Sequence, residues 1–351
     1  MRRNLYRGRG APANPEGRFE TLEVEADPES AHDHAPRLQT RYLRDDSRTI
    51  LVRNSSPDLS FDYSLNPYRG CEHGCAYCYA RPTHEYLGFS AGLDFECRIL
   101  VKEEAPALLR EALGKRSWRP KTVAMSGVTD CYQPVERRLR ITRGCLEVFA
   151  ETLNPVGIVT KNHLVTRDMD LLGTLATVDA CAVTLSIPTL DPELARVLEP
   201  RASAPARRLA AVERLSTAGI RTGVLVAPVI PGLTEHEIPE IVKRAATAGA
   251  SGVGYVLLRL PWGLKSLFEQ WLRVHRPQRA ERVLARIRDV RDGELTDNTW
   301  GRRHTGSGTY AGQIATLFKV ARARNGLDDK QPGLSTASFQ RPVPPGQGRL
   351  F

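Results

Sequence analysis

Three of the chain's seven cysteines, Cys71, Cys75 and Cys78, fall within eight residues in the run NPYRGCEHGCAYCYARP at 66–82. The spacing C-x3-C-x2-C brings three sulfurs onto one small object only if the loop bends tightly, and Gly70 and Gly74 supply backbone freedom for that bend. A cubane iron-sulfur cluster normally takes four cysteine ligands. Three local ligands leave one iron open, and a small molecule carrying an amine and a carboxylate can chelate that iron and receive an electron by direct contact. The rival is structural zinc with His73 or His84 as fourth ligand, but zinc modules usually combine two separated ligand pairs, and no distant pair exists here. The other cysteines, Cys97, Cys131, Cys145 and Cys181, stand singly. Cys145 in a helical stretch and Cys181 in a strand-like one have the setting of small buried hydrophobes.

The elements that must position this loop belong to a chain of 351 residues with 50 Lys+Arg against 40 Asp+Glu, a formal charge of +10. A hydrophobic fraction of 41% and a mean hydropathy of -0.34 exclude a wholly disordered chain and a bundle of membrane spans. Apolar runs such as 223–230 fall far short of the roughly 20 residues needed to cross a bilayer, so no membrane role is expected. The start, MRRNLYRGRGAPANPEGRF, has the charge of a secretory n-region but no apolar stretch behind it, which points to the cytoplasm. In that reducing compartment a tight cysteine group is a metal or redox site rather than a disulfide framework. From Arg259 onward there are seventeen Lys and Arg against eight Asp and Glu. That excess is either a nucleic-acid surface or part of a chain-wide arginine bias, since only eight of the 50 basic residues are Lys.

Residues 1–45 mix Arg, Gly and Pro with an acidic stretch and show no period, as expected of a disordered arm; residues 328–351, rich in Pro, Gly, Gln and Ser, have the composition of a tail. The body between them, 46–327, alternates apolar, β-branched runs at 61–67, 121–128, 156–162, 180–187, 221–229 and 251–260 with amphipathic stretches near 104–114, 135–153, 168–177, 205–218 and 236–248. A long helical pattern follows at 264–292, and the segment from 264 to 327 is expected to cap the body. Strand and helix in this alternation imply parallel βαβ units with both sheet faces covered. Neither GxGxxG nor GxxxxGK[ST] follows any of the strands, and GSGTYAG at 306–312 lacks the lysine of a phosphate loop. Ligands in such α/β folds gather at the C-terminal ends of the strands.

The cysteine run, with Tyr77 in the aromatic place of C-x3-C-x-aromatic-C, resembles the mark of the radical SAM enzymes. Further stretches, TDCYQPVE, IVTKNHLVTRD, LEPRASAPARRL and APVIPGL, are similar to the branch related to spore photoproduct lyase, often named DNA repair photolyase-like. The resemblance runs from about 61 to 327. It implies an α/β fold, a partial (β/α)6 barrel of parallel strands, with a [4Fe-4S] cluster on Cys71, Cys75 and Cys78 and S-adenosylmethionine on the fourth iron. By the same resemblance Tyr77 lies at the adenine. Ser126, Gly127, Thr129 and Asp130 stand where the family often has Gly-Gly-Glu for the methionine amine, with Asp130 or Thr129 in place of the Glu. Lys161 emerges from the third strand, and Ser186 meets the carboxylate or ribose. Glu199 and Arg207 form an acid and base at the same end, and Ile230 and Pro231 pass close to the adenine.

The implied reaction is reductive cleavage of S-adenosylmethionine to a 5'-deoxyadenosyl radical that abstracts hydrogen from a substrate, with a flavodoxin or ferredoxin as reducing partner. Photoproduct lyase chemistry ends with a cysteine thiol placed just before a Ser/Thr-Asp pair. Here Gly127 or Val128 holds that place and Cys131 lies beyond Asp130, so Cys131 is the candidate hydrogen donor only by displacement. Trp262, Trp271 and Trp300, with Arg302, Arg303 and His304, are candidates for closing the mouth, with core packing the simpler expectation for the Trp rings. Two further readings follow: a radical enzyme directed at nucleic acid, and a zinc-stapled nucleic-acid-binding protein whose basic final quarter does the work.

Overall fold

The computed structural model describes residues 8–19, 38–59, 61–327 and 331–342. Its strands are β1 (Arg41–Arg44), β2 (Leu51–Arg53), β3 (Tyr63–Leu65), β4 (Tyr68–Arg69), β5 (Arg98–Val101), β6 (Val123–Met125), β7 (Val156–Thr160), β8 (Cys181–Ser186), β9 (Thr222–Val229) and β10 (Gly252–Leu257). Six of them, β3 and β6 to β10, lie side by side in chain order and parallel, with β2 antiparallel on β3 at the edge. The register runs Tyr63 to Val123 to Val156 to Cys181, then Val183 to Thr222 and Gly223 to Gly252. Among the described residues β10 pairs only with β9, so the sheet stays open, with six parallel strands and helices between them.

The helices are α1 (Leu93–Cys97), α2 (Ala105–Gly114), α3 (Glu136–Leu139), α4 (Ile141–Thr152), α5 (Met169–Ala176), α6 (Pro192–Leu198), α7 (Pro205–Thr217), α8 (Ile238–Thr247), α9 (Leu264–His275), α10 (Ala280–Asp289) and α11 (Gly308–Arg324). Their buried faces repeat at helical spacing. In α4 the set is Thr142, Cys145, Leu146, Val148, Phe149 and Thr152, and it closes the main core against Val123, Ile158 and Val183 of the sheet. Cys145 and Cys181 are part of that core. A second core forms under the C-terminal helices, where Trp271 stacks on Phe268 at 5.6 Å. Trp262 and Trp300, in contrast with the core packing expected of them, are half-exposed.

The patterns at 264–292 and 135–153 are each two helices. Pro277 has no amide to continue α9, and the chain restarts at Ala280. Arg140, at φ +55, separates α3 from α4.

Parts of the two ends expected to be disordered are ordered. Residues 8–19 lie against the cysteine loop, and β1 pairs in parallel with β5, Arg41 opposite Arg98. Residues 1–7 and 20–37 fall outside the described residues. Of the C-terminal tail, 331–342 crosses the N-terminal side of the sheet. The Ser335 amide donates to Asp179 O at 2.9 Å, the Gln340 amide donates to Thr152 O at 2.8 Å, and Phe339 packs on the core. Residues 328–330 and 343–351 fall outside the described residues. These segments have no period because their order comes from hydrogen bonds to distant backbone rather than from an apolar stripe of their own. Among the described residues no helix is long and apolar enough to cross a membrane.

Candidate cofactor site

The cysteine loop leaves the short strand β4 and turns at two glycines that a side chain could not replace. At Gly70, φ +79, a Cβ would stand 2.9 Å from Phe95 O; at Gly74, φ +67, it would stand 2.7 Å from a Glu96 carboxylate oxygen. Between them the Cys71 amide donates to Phe95 O at 2.9 Å. Arg81 lies beneath the loop, fully buried. Its guanidinium donates twice to Cys75 O, at 3.0 and 2.8 Å, to Ala91 O and Gly92 O, and to Glu96 at 2.5 Å. Glu96, also fully buried, accepts the amides of Gly10 at 3.0 Å and Ala11 at 2.7 Å, and Arg9 donates to Glu96 O at 2.8 Å. The segment 8–19 is thus a strap laid over the back of the loop. No apolar pattern in it announces this role.

Cys71 and Cys75 are buried, Cys78 is half-buried, and all three are free thiols. Burial raises each thiol pKa; at Cys75 the Glu199 carboxylate adds to the rise while Lys161 works against it. Three thiols collected in a dry loop need a cationic partner to become thiolates, and a cluster of irons is such a partner. The zinc reading does not fit. Among the described residues no three His, Cys, Asp or Glu side chains are placed to hold one ion. Both proposed fourth ligands are turned to other partners: His84 Nε2 meets Arg98 O at 2.9 Å, and His73 faces Asp130 at 3.3 Å and Asn162 at 3.2 Å.

At the ends of β7 and β8 the structure gathers Tyr77, Lys161, Ser186 and Glu199. The Lys161 ammonium donates to Ser186 Oγ at 3.1 Å and stands 5.8 Å from the Tyr77 ring centre; the Ser186 hydroxyl donates to Ala227 O at 2.9 Å. The Tyr77 hydroxyl donates to Glu199, which is also paired with Arg208. Burial acts downward on the Lys161 pKa, but Cys75 and Glu199 outweigh it, so the ammonium stays charged within reach of the cysteine loop. The arginine paired with Glu199 is Arg208, next to the expected Arg207, and its guanidinium also donates to Ser186 O at 2.8 Å and Ser203 O at 2.7 Å. Arg207 is exposed on the next position of α7. Helical spacing could have separated them, since Arg208 shares its face with Ala211, Val212 and Leu215, all buried.

The end of β6 is organised for support. Asn66 Oδ1 accepts the amides of Gly127 at 2.8 Å and Val128 at 3.0 Å, joining the ends of β3 and β6. Ser126, at φ +83, accepts the Cys131 amide at 3.0 Å, and the Thr129 hydroxyl donates to Gly70 O at 2.6 Å. Asp130 is not free for an amine. It accepts the Thr160 hydroxyl at 2.7 Å and the amides of Lys161 at 2.8 Å and Tyr132 at 2.9 Å. Burial alone would raise its pKa, but His73 and these hydrogen bonds hold it down at about 2. Cys131 is fully buried in the main core with Leu65, Met125 and Ile158, a packing position rather than an exposed donor. Ile230 and Pro231 are buried after β9, where the Ile230 amide donates to Thr234 Oγ1 at 2.9 Å.

The sequence profile described as the radical SAM superfamily matches residues 65–245, which hold the cysteine loop and the strand ends just described. This chain belongs to the radical SAM superfamily. That superfamily uses a [4Fe-4S] cluster and S-adenosylmethionine. An uncharacterized protein of Mycobacterium tuberculosis is 39% identical over 226 residues, covering 64% of this chain and 66% of the relative. The match therefore spans just under two thirds of the mycobacterial relative's length. An uncharacterized protein of Methanocaldococcus jannaschii is 30% identical over 175 residues, 50% of this chain and 63% of that one. Among solved structures, spore photoproduct lyase complexed with dinucleoside spore photoproduct superposes with a TM-score of 0.59 at 18% identity, covering 87% of this chain and 86% of that chain. At that identity the likeness is one of fold.

The strap generates a prediction. A Cβ on Gly10 would stand 1.7 Å from Gly74 O, so Gly10→Ala must lift the strap off the loop. We expect the variant to fold but to lose its iron in air several times faster than the unaltered protein, as followed by the decay of visible absorbance. Equal decay rates would show that the strap does not protect the loop.

Proposed function

We propose that this radical SAM enzyme abstracts a hydrogen atom from a nucleic-acid substrate admitted at the mouth formed by the C-terminal ends of the strands. When bound, the reduced cluster and S-adenosylmethionine supply a 5'-deoxyadenosyl radical. The chain's own residues hold and shield that chemistry. Cys71, Cys75 and Cys78 would carry the cluster. Lys161, a charged donor beside Ser186, suits the cofactor carboxylate, and the Tyr77, Glu199 and Arg208 network keeps its polar groups paired in a dry wall. Ile230 and Pro231 would lie along the adenine. Ser126, Gly127 and Thr129 at the end of β6 are proposed to meet the methionine end through backbone and hydroxyl groups, with Asp130 as the brace behind them. The cytoplasm is the proposed setting, supported by seven free cysteines, with a flavodoxin or ferredoxin as electron donor.

The substrate class rests on Arg259. This arginine follows β10 at the mouth and has no acidic partner within ion-pair distance among the described residues. Its Nε is buried without a hydrogen bond, and another of its nitrogens stands 3.4 Å from His304. Its guanidinium lies 5.7 Å from the ring centre of Tyr79, which is half-exposed, follows Cys78 and donates to Gly127 O at 2.6 Å. Half-exposed Trp262 and Trp300 each carry an arginine on the ring, Arg18 at 4.2 Å and Arg303 at 4.1 Å. An uncompensated guanidinium beside open aromatic faces suits a ligand that joins anionic groups to flat rings, as a polynucleotide does.

Two outcomes are expected. Reconstituted anaerobically with iron and sulfide and then given dithionite and S-adenosylmethionine, the protein should release 5'-deoxyadenosine, and Cys75→Ala should retain no cluster. An intact cluster without that product would sink the reading. Arg259→Ala should leave 5'-deoxyadenosine formation intact while weakening single-stranded oligonucleotide binding about tenfold, as expected for one lost charge-assisted contact. Unchanged oligonucleotide affinity would remove nucleic acid from the proposal.

A further inference from the structure

A second cationic feature lies beside the end of β7 and shares no lining residue with Arg259, Tyr79, Trp262 or Trp300. A cavity of about 450 Å³ opens beside the turn that follows β7, lined among others by Arg137 of α3, His163 and Arg167 of the 3-10 turn His163–Asp168, Arg207 and Arg214 of α7, and Ser203. No carboxylate lines it. Arg167 is committed beneath it to Glu136 at 2.8 Å and Asp168 at 2.7 Å. Arg137, Arg207 and Arg214 have no acidic partner within ion-pair distance among the described residues, and the last two, seven residues apart, lie on one face of α7.

The floor is fixed by hydrogen bonds. Asn162 Oδ1 accepts the Leu164 amide at 3.0 Å and the Ser203 hydroxyl at 3.1 Å, while Ser203 Oγ accepts the His163 amide at 2.9 Å. Burial, then Arg207 and Arg214, lower the His163 pKa. Like charges from three elements repel one another; a bound anion reverses the sign of that energy. The cavity is large enough for a nucleotide-sized ligand, and guanidinium forks match phosphate oxygens bidentately.

We propose that this cavity binds phosphate groups, at a site that shares no lining residue with the surroundings of Arg259. The assignment stands whether or not the substrate at the mouth is nucleic acid. The ligand chemistry is a phosphoryl group held by Arg137, Arg207 and Arg214, from a polynucleotide backbone or from a free nucleotide.

The test uses the full-length reconstituted protein, anaerobically, with pyrophosphate titrated by calorimetry at low salt. Saturable binding is expected, weakened about tenfold or more in Arg207→Ala/Arg214→Ala. The control Arg282→Ala/Arg324→Ala removes the same charge from exposed positions of α10 and α11 and is expected to change affinity less than about twofold. Absence of saturable binding, or equal weakening by both pairs, overturns the site. Displacement of pyrophosphate by a nucleoside diphosphate at lower phosphate concentration than by a short single-stranded oligonucleotide assigns a free nucleotide; the reverse order assigns a polynucleotide. Displacement by neither overturns the phosphate assignment.

Discussion

The ion pair between Arg81 and Glu96, fully buried on both sides, is the constraint on which the cysteine loop depends. Two charges taken out of water cost several kcal/mol unless their remaining donors and acceptors are satisfied. Here they are satisfied by the loop and its strap: the guanidinium by the carbonyls of Cys75, Ala91 and Gly92, the carboxylate by the amides of Gly10 and Ala11. The pair therefore fixes three stretches distant in sequence. Removing either partner strands the other charge, at a cost of roughly 3–5 kcal/mol, and frees the turn that sets the sulfurs. Gly70 and Gly74 make the turn achievable; Arg81 and Glu96 make it the one adopted.

A second buried network joins the same loop to the strand ends. Tyr77 belongs to the loop, Lys161 and Ser186 to the ends of β7 and β8, and Glu199 and Arg208 to the chain that follows α6 and the start of α7. Parallel strands in chain order deliver these groups to one edge, because each strand ends where its crossover begins. Asp130 locks the loop to the ends of β6 and β7 through His73, Thr160 and Lys161. Cofactor chemistry of the radical kind needs water kept out, and a wall of paired charges with little exposed surface provides that without flexible gates.

The cysteine motif, the parallel α/β alternation and the six strand positions were legible in the sequence because each rests on local spacing or on a hydrophobic period. Pairings that depend on tertiary register were not. Arg207 and Arg208 are equivalent as a dipeptide and differ only in which face of α7 is buried. Asp130 has the chemistry to bind an amine, yet the Thr160 hydroxyl and the Lys161 amide at the end of β7 reach it first. The strap at 8–19 looks disordered by composition, since its order is borrowed from Glu96. Cys131 sits near the right motif, but its burial depends on how α4 packs on the sheet. The positive charge, read as a tilt toward the last quarter, resolves into Arg259 at the mouth and an arginine cavity beside β7 that draws on earlier segments.

On the proposed function, three cysteines leave one iron of the cluster open to S-adenosylmethionine. The most direct measurement of this is the electron paramagnetic resonance spectrum of the anaerobically reconstituted, dithionite-reduced protein, recorded before and after S-adenosylmethionine is added. The account predicts a reduced-cluster signal whose shape and g values change on addition. A signal that is present and unaltered by the cofactor would contradict it.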